Sequence, residues 1–197
     1  MQWVHKKQNN GFALLLAMIV SSVVLAIGLS ILNVSVNQIN LSATARESEF
    51  AFQAAHAGVD CMWYWRNTDE STFISKGASA PSLNCFNGKE ASKSVALVTP
   101  SNGVGNTSGH FINAYNYTFS WGTPIRCTEA AMYVMNAGDA DLQYDFSSIN
   151  QGVGTDGLKT CTQGYICTVL ISDGYNRSCT DKNSSIYSVQ RELTFEF

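Results

Sequence analysis

The sequence predicts an α+β fold: a long N-terminal transmembrane and amphipathic helix packed on a mainly antiparallel β-sheet domain. Three observations predict it. Residues 12–32 carry no charge and no proline. Residues 33–65 continue without proline on a 3.6-residue apolar period. The last third of the chain holds short runs, rich in branched and aromatic residues, of the kind that form strands.

The first element begins in "HKKQNNGFALLLAMIVSSVVLAIGLSIL", where Lys6 and Lys7 precede a lone Gly11 and Phe12 opens the apolar run. As a helix at about 1.5 Å per residue, the run reaches about 31 Å, close to the thickness of bilayer hydrocarbon. A cleaved secretory signal has a shorter apolar core, roughly 7 to 15 residues, followed by a small-residue cleavage site. Here the run passes straight into a polar segment that keeps its helical pattern. A buried core helix is the weaker reading, because the remaining chain is too small to surround it. Lys6 and Lys7 stand in front of the run and the next charge is Arg46, so the positive-inside rule puts the N-terminus in the cytoplasm and everything after Leu32 outside. The expected location is the cytoplasmic membrane, crossed once.

The second element continues the helix. Val36, Ile39, Ala43, Phe50, Ala54 and Ala57 recur at steps of three, four or seven and mark one apolar stripe. A helix from Phe12 to about Trp65 is about 80 Å long, more than one small domain covers. Neighbouring copies of the same helix are the economical partner, and a rigid stalk is the alternative. Gly58 marks either a bend or a close approach of another element. "CMWYW" at residues 61–65 closes the helix with an aromatic cluster suited to seed a core.

The third element is a domain of about 130 residues, large enough for one core. Residues 75–88 and 99–110 are turn-rich and read as surface loops. "NYTFSW" at 116–121, "MYVM" at 132–135, "YICTVLIS" at 165–172 and the terminal "SIYSVQRELTFEF" read as strands. Asp173-Gly174 reads as a turn signal between the last two. The cysteines Cys61, Cys85, Cys127, Cys161, Cys167 and Cys179 all fall on the exported side, which suits an oxidising compartment and up to three disulfides. Fifteen pairings are open. Zinc is disfavoured, since no close CxxC pair is present.

The formal charge of −3, with no basic run, gives no footprint for nucleic acid, and no specific nucleic-acid partner is expected. HExxH, GxSxG and GxxxxGK patterns are missing, so neither an enzyme nor a cofactor is expected. Asp139, Asp141 and Asp145 are oxygen ligands in principle, but their order fails the EF-hand loop, and an acidic surface loop is the better reading. His56 reads as a polar helix residue and His110 as a loop residue. Asn106, Asn116, Asn176 and Asn183 stand in N-x-Ser/Thr patterns, which occur often by chance.

The basic border "KKQNNGF", the apolar run and its long amphipathic continuation together resemble the type IV pilin and pseudopilin superfamily, especially minor-pilin-like proteins with a PilX-type N-terminus. The resemblance implies a pilin-like fold and a leader of residues 1–11 removed by prepilin peptidase, with Gly11 the last leader residue and Phe12 the first mature, commonly N-methylated one. Removing Lys6 and Lys7 would take the charge from −3 to −5. It divides the rest into a transmembrane part, 12–32, an extracytoplasmic continuation, 33–66, and a disulfide-stabilised globular domain, 67–197. It also implies partners: other pilin or pseudopilin subunits, the filament assembly platform and membrane lipid. Major pilins place a glutamate five residues into the mature chain, to register the N-terminal amine of a neighbour; this chain has Leu16. A carboxylate in lipid costs about 2.5–3.5 kcal/mol, so Leu16 eases membrane residence and removes an oriented charge, as in some tip subunits. A cysteine pair bracketing a loop near the C-terminus is common in pilins, which points to Cys167 with Cys179, Cys161 being a close rival. A structural subunit of a pilus-like filament or its priming tip is therefore the leading expectation. A permanently anchored binding or adhesion module is the alternative.

Overall fold

The computed structural model describes residues 10–86, 92–150, 152–184 and 188–197. Lys6 and Lys7 lie outside the described residues. Helix α1, Asn10–Thr68, runs for 59 residues without interruption. The chain divides between Arg46 and Glu47 into two units.

In the first unit, every residue from 12 to 46 is exposed. Among the described residues, one helix is long and apolar enough to cross a membrane, and its apolar run lies here. Ser21 and Ser22 return their hydroxyls to the carbonyls of Met18 and Ile19 at 3.0 and 2.8 Å, so these polar groups are satisfied within the helix.

In the second unit, the helix from Glu47 onward lies on a five-stranded antiparallel sheet. The strands are β1 Ser92–Val98, β2 His110–Trp121, β3 Arg126–Ala137, β6 Ile166–Tyr175 and β7 Gln190–Glu196, side by side in that order. A second, two-stranded sheet pairs β4 Leu142–Asp145 with β5 Leu158–Cys161. A short α2, Glu70–Phe73, follows α1 and buries Phe73. Side chains alternate across the strands. Tyr115, Tyr117, Phe119, Met132 and Leu170 meet Met62 of the helix on one face, and Tyr133, Val169 and Ile171 meet Phe146 and Val153 on the other.

Several expectations are corrected by the fold. Asp173 and Gly174 do not turn: β6 runs through them to Tyr175, and the connection to β7 comes after it. The reason is the helix above, because a Cβ on Gly174 would stand 2.1 Å from the Ala51 carbonyl oxygen and 2.2 Å from the Ala55 nitrogen. Glycine here permits a close approach. The runs at 116–121 and 132–135 are parts of twelve-residue strands, and β1, β4 and β5 are elements the sequence reading did not assign. "CMWYW" divides: Cys61 and Met62 are buried, whereas Trp63 and Tyr64 are exposed.

The cysteines pair as Cys61–Cys85, Cys127–Cys179 and Cys161–Cys167. Cys167 is therefore not joined to Cys179. It sits near the start of β6 opposite Met135, whereas Cys179 follows the strand's other end, beside Cys127 opposite Tyr175. The eight-residue rise of the strand from Cys167 to Tyr175 is about 27 Å, far beyond disulfide reach.

Candidate functional site

Helix α1 carries two stretches that are built differently. Gly11 and Phe12, the expected processing pair, both lie within the helix, and Phe12 and Leu16 are exposed. Leu16 shares its surroundings with Ala13, Ala17, Val20, Ser21 and Val24, a helical face with no charged group.

From Glu47 onward the inward face is small. Ala51, Ala54, Ala55 and Gly58 are buried, and a Cβ on Gly58 would come within 2.2 Å of the Ser172 hydroxyl and 2.5 Å of the Thr128 methyl. Gly58 thus marks a close approach rather than a bend. Thr128 seals this seam: its hydroxyl donates to the Ala54 carbonyl at 2.9 Å and accepts from the Trp121 indole at 2.9 Å. Side chains along the flank fix the helix further. Asn176 donates to the Glu47 carboxylate at 2.7 Å, Arg191 to the Ser48 hydroxyl at 2.8 Å, and buried Arg66 to the Thr168 hydroxyl at 3.2 Å. The Arg126 guanidinium lies 4.4 Å over the Phe50 ring. The outward face of the same stretch carries Phe52, His56, Asp60, Trp63 and Tyr64, all exposed, with His56 and Asp60 3.0 Å apart. That face offers aromatic surface for docking and no arrangement of nucleophile and base.

The other singled-out residues are dispersed. His110 is not a loop residue; it opens β2, is buried, and its Nδ1 meets Asp139 and the Thr107 hydroxyl. Asp141 accepts the Gln163 N–H at 2.7 Å and Asp145 the Ser147 N–H at 2.8 Å, so the three aspartates do not converge. Among the described residues no three or more His, Cys, Asp or Glu side chains are placed to hold a metal ion. Asn106 spends its side chain on the Val98 carbonyl and the Ile112 N–H, while Asn116 is exposed on β2.

One feature was beyond sequence reasoning. On the sheet face away from the helix, a groove of about 370 Å³ opens over Asn116, Thr118, Glu129, Ile171, Asp173 and Glu192. Burial, with the neighbouring charge of Glu129 adding to it, raises the Asp173 carboxyl above its ordinary range, against the Gln190 hydrogen bond and Lys182. Burial and then the Asp173 charge raise Glu192. Burial, with the negative charges of Asp173 and Glu129, pushes the Tyr175 phenol up to about 12. Only strand register brings these acids together, and register is not written in any local run of residues.

Set against protein-family models, curated proteins and solved structures, the chain matches none of them at a significant level.

Proposed function

We propose that this chain is a structural, non-enzymatic subunit of a type IV pilus-like or pseudopilus filament, held in the membrane by residues 12–32 and assembled through its helix. The observation that supports the reading is one uninterrupted helix, Asn10–Thr68, whose first stretch is apolar and exposed all round and whose last stretch seats small residues on an antiparallel sheet. An apolar helical surface of this length requires lipid or protein to cover it. The absence of a carboxylate at Leu16 fits a minor subunit, and cytoplasmic membrane topology with the sheet domain outside follows from Lys6 and Lys7. The alternative, a permanently anchored display module, draws on the exposed aromatic residues Trp63, Tyr64 and Tyr165.

Two measurements separate them. Intact-mass analysis of native protein is expected to show a chain beginning at Phe12, with Gly11 replaced by a bulky residue as control. Retention of residues 1–11 beside an active prepilin peptidase would rule out processing. Site-directed cross-linking through residues 36–57 is expected to capture a second pilin-like subunit, and reproducible capture of none favours the solitary anchor.

A further inference from the structure

Glu129, Asp173 and Glu192 stand in one row across three adjacent strands: Glu129 pairs in register with Asp173, and Asp173 with Glu192. Directly opposed like charges on neighbouring strands are destabilising, and Asp173 has one on each side. The cation in the row is Lys182, from the β6–β7 connection, which pairs with Glu129 and lies 4.7 Å over the Tyr175 ring. Among the described residues, the other groups facing Asp173 and Glu192 are neutral: Gln190 donates to Asp173 at 2.8 Å, Asn150 donates to Glu192, and Tyr175 keeps its proton at any ordinary pH. Among the described residues, one ammonium thus faces three carboxylates across a half-buried groove. The connection carrying that ammonium is itself tied to β3 through Cys127–Cys179.

We propose that this row is a proton-responsive clamp. Taking up a proton between Asp173 and Glu192 removes the repulsion across the β6–β7 pairing and tightens the sheet's edge strand in mildly acidic surroundings; losing it loosens that edge as the medium turns neutral and alkaline. The direction follows from linkage. The folded chain holds protons on these two acids at pH values where the unfolded chain has released them, so the folded state binds more protons and stability falls as pH rises. Lys182 pairs with Glu129 of β3 and not with Glu192, so the clamp acts on β7 and not on the tether of the connection. The inference stands whether the chain assembles or not.

The test uses the full chain in detergent micelles, unfolded by urea at about pH 5 and about pH 8 and followed by near-ultraviolet circular dichroism. The urea midpoint is expected to be higher at the acidic pH. Asp173→Asn, which keeps an acceptor for Gln190, is expected to raise the alkaline midpoint and to remove at least half of the gap. Glu192→Gln is expected to act in the same direction. Hydrogen exchange gives a local readout: protection of residues 191–195 relative to 112–118 should fall several-fold from acid to alkaline pH in the parent and stay level in Asp173→Asn. A parent more stable at alkaline pH, or variants that keep the parent's full gap, would overturn the clamp.

Discussion

Replacing Gly174 by alanine tests the helix–sheet seam most directly, because two physical arguments predict opposite signs for it. Gly174 lies inside β6, and its φ is not among the positive values found at the turn glycines. Alanine there should therefore gain about 0.5–1 kcal/mol by reducing chain entropy. Against this, the added Cβ would meet the Ala51 oxygen at 2.1 Å, the Ala55 nitrogen at 2.2 Å and the Ala54 carbonyl carbon at 2.9 Å. All three are backbone atoms of α1 and cannot rotate aside. Ordinary contact begins at 3.4 Å, so the helix must rise by more than 1 Å. That lift stretches the 2.9 Å bond from Thr128 to the Ala54 carbonyl and opens the alanine seam. Overpacking costs about 1–3 kcal/mol and the strained hydrogen bond about 1 kcal/mol more, which outweighs the entropy gain. The net loss is expected at about 1–3.5 kcal/mol, read as a lower urea midpoint of the full chain in micelles. Gly28→Ala, where nothing lies within 4 Å of the new Cβ, is the matched control and is expected not to lower the midpoint, because only the entropy gain remains there. A Gly174→Ala midpoint equal to or above the parent's would show that the helix is not held at this distance.

The three disulfides close chain separations of 52, 24 and 6 residues, so paired cysteine-to-alanine variants are expected to lose stability in the order Cys127–Cys179, Cys61–Cys85, Cys161–Cys167. Loop-closure entropy sets the losses at about 4, 3 and 2 kcal/mol, and urea midpoints in any other order would refute the chain-entropy account. Glu196 behaves oppositely to the clamp acids: against burial, the Lys159 ammonium at 2.5 Å and the Gly154 N–H at 2.8 Å hold its carboxyl below the usual range. Its stabilisation is present above the ordinary glutamate pKa and is lost as pH falls through the depressed one, so Glu196→Gln should cost a fraction of a kcal/mol at neutral pH, about 0.2–1, and nothing in strong acid. A pH-independent effect would mean that the charge is not what matters there.

The helix and the sheet class were legible because each leaves a periodic trace. An unbroken charge-free run can be read one turn at a time, and residues 116–121 and 185–197 carry strand signals within a few positions, whereas of the apolar stripe read at Val36, Ile39, Ala43, Phe50, Ala54 and Ala57 only Ala54 is fully buried. What failed was whatever depends on a distant partner. Asp173-Gly174 has the composition of a hairpin turn, and only the helix passing over it makes the glycine a strand residue. Trp63 and Tyr64 belong by composition to a core, yet the helix turns them outward because the inward positions are taken by Cys61, Met62 and Arg66. The cysteine partners likewise depend on which strand ends face each other. The acid row needs two registers across three strands at once, so no reading of β3, β6 or β7 alone contains it.

The inward face of α1 constrains what its outward face can do. Seating alanines and a glycine against Thr128, Ser172 and Gly174 brings the helix backbone close to the sheet, and the side-chain hydrogen bonds at Glu47, Ser48 and Arg66 fix its rotation. A helix so fixed holds the backbone positions of Phe52, Trp63 and Tyr64 in one arrangement, so covering that surface costs the ordering of the side chains alone. Rigidity of this kind serves repeated, identical packing against like neighbours better than adaptive capture of varied ligands, which favours mobile loops. The same close seating that leaves no room for a methyl group at Gly174 is thus in keeping with the proposed assembled subunit.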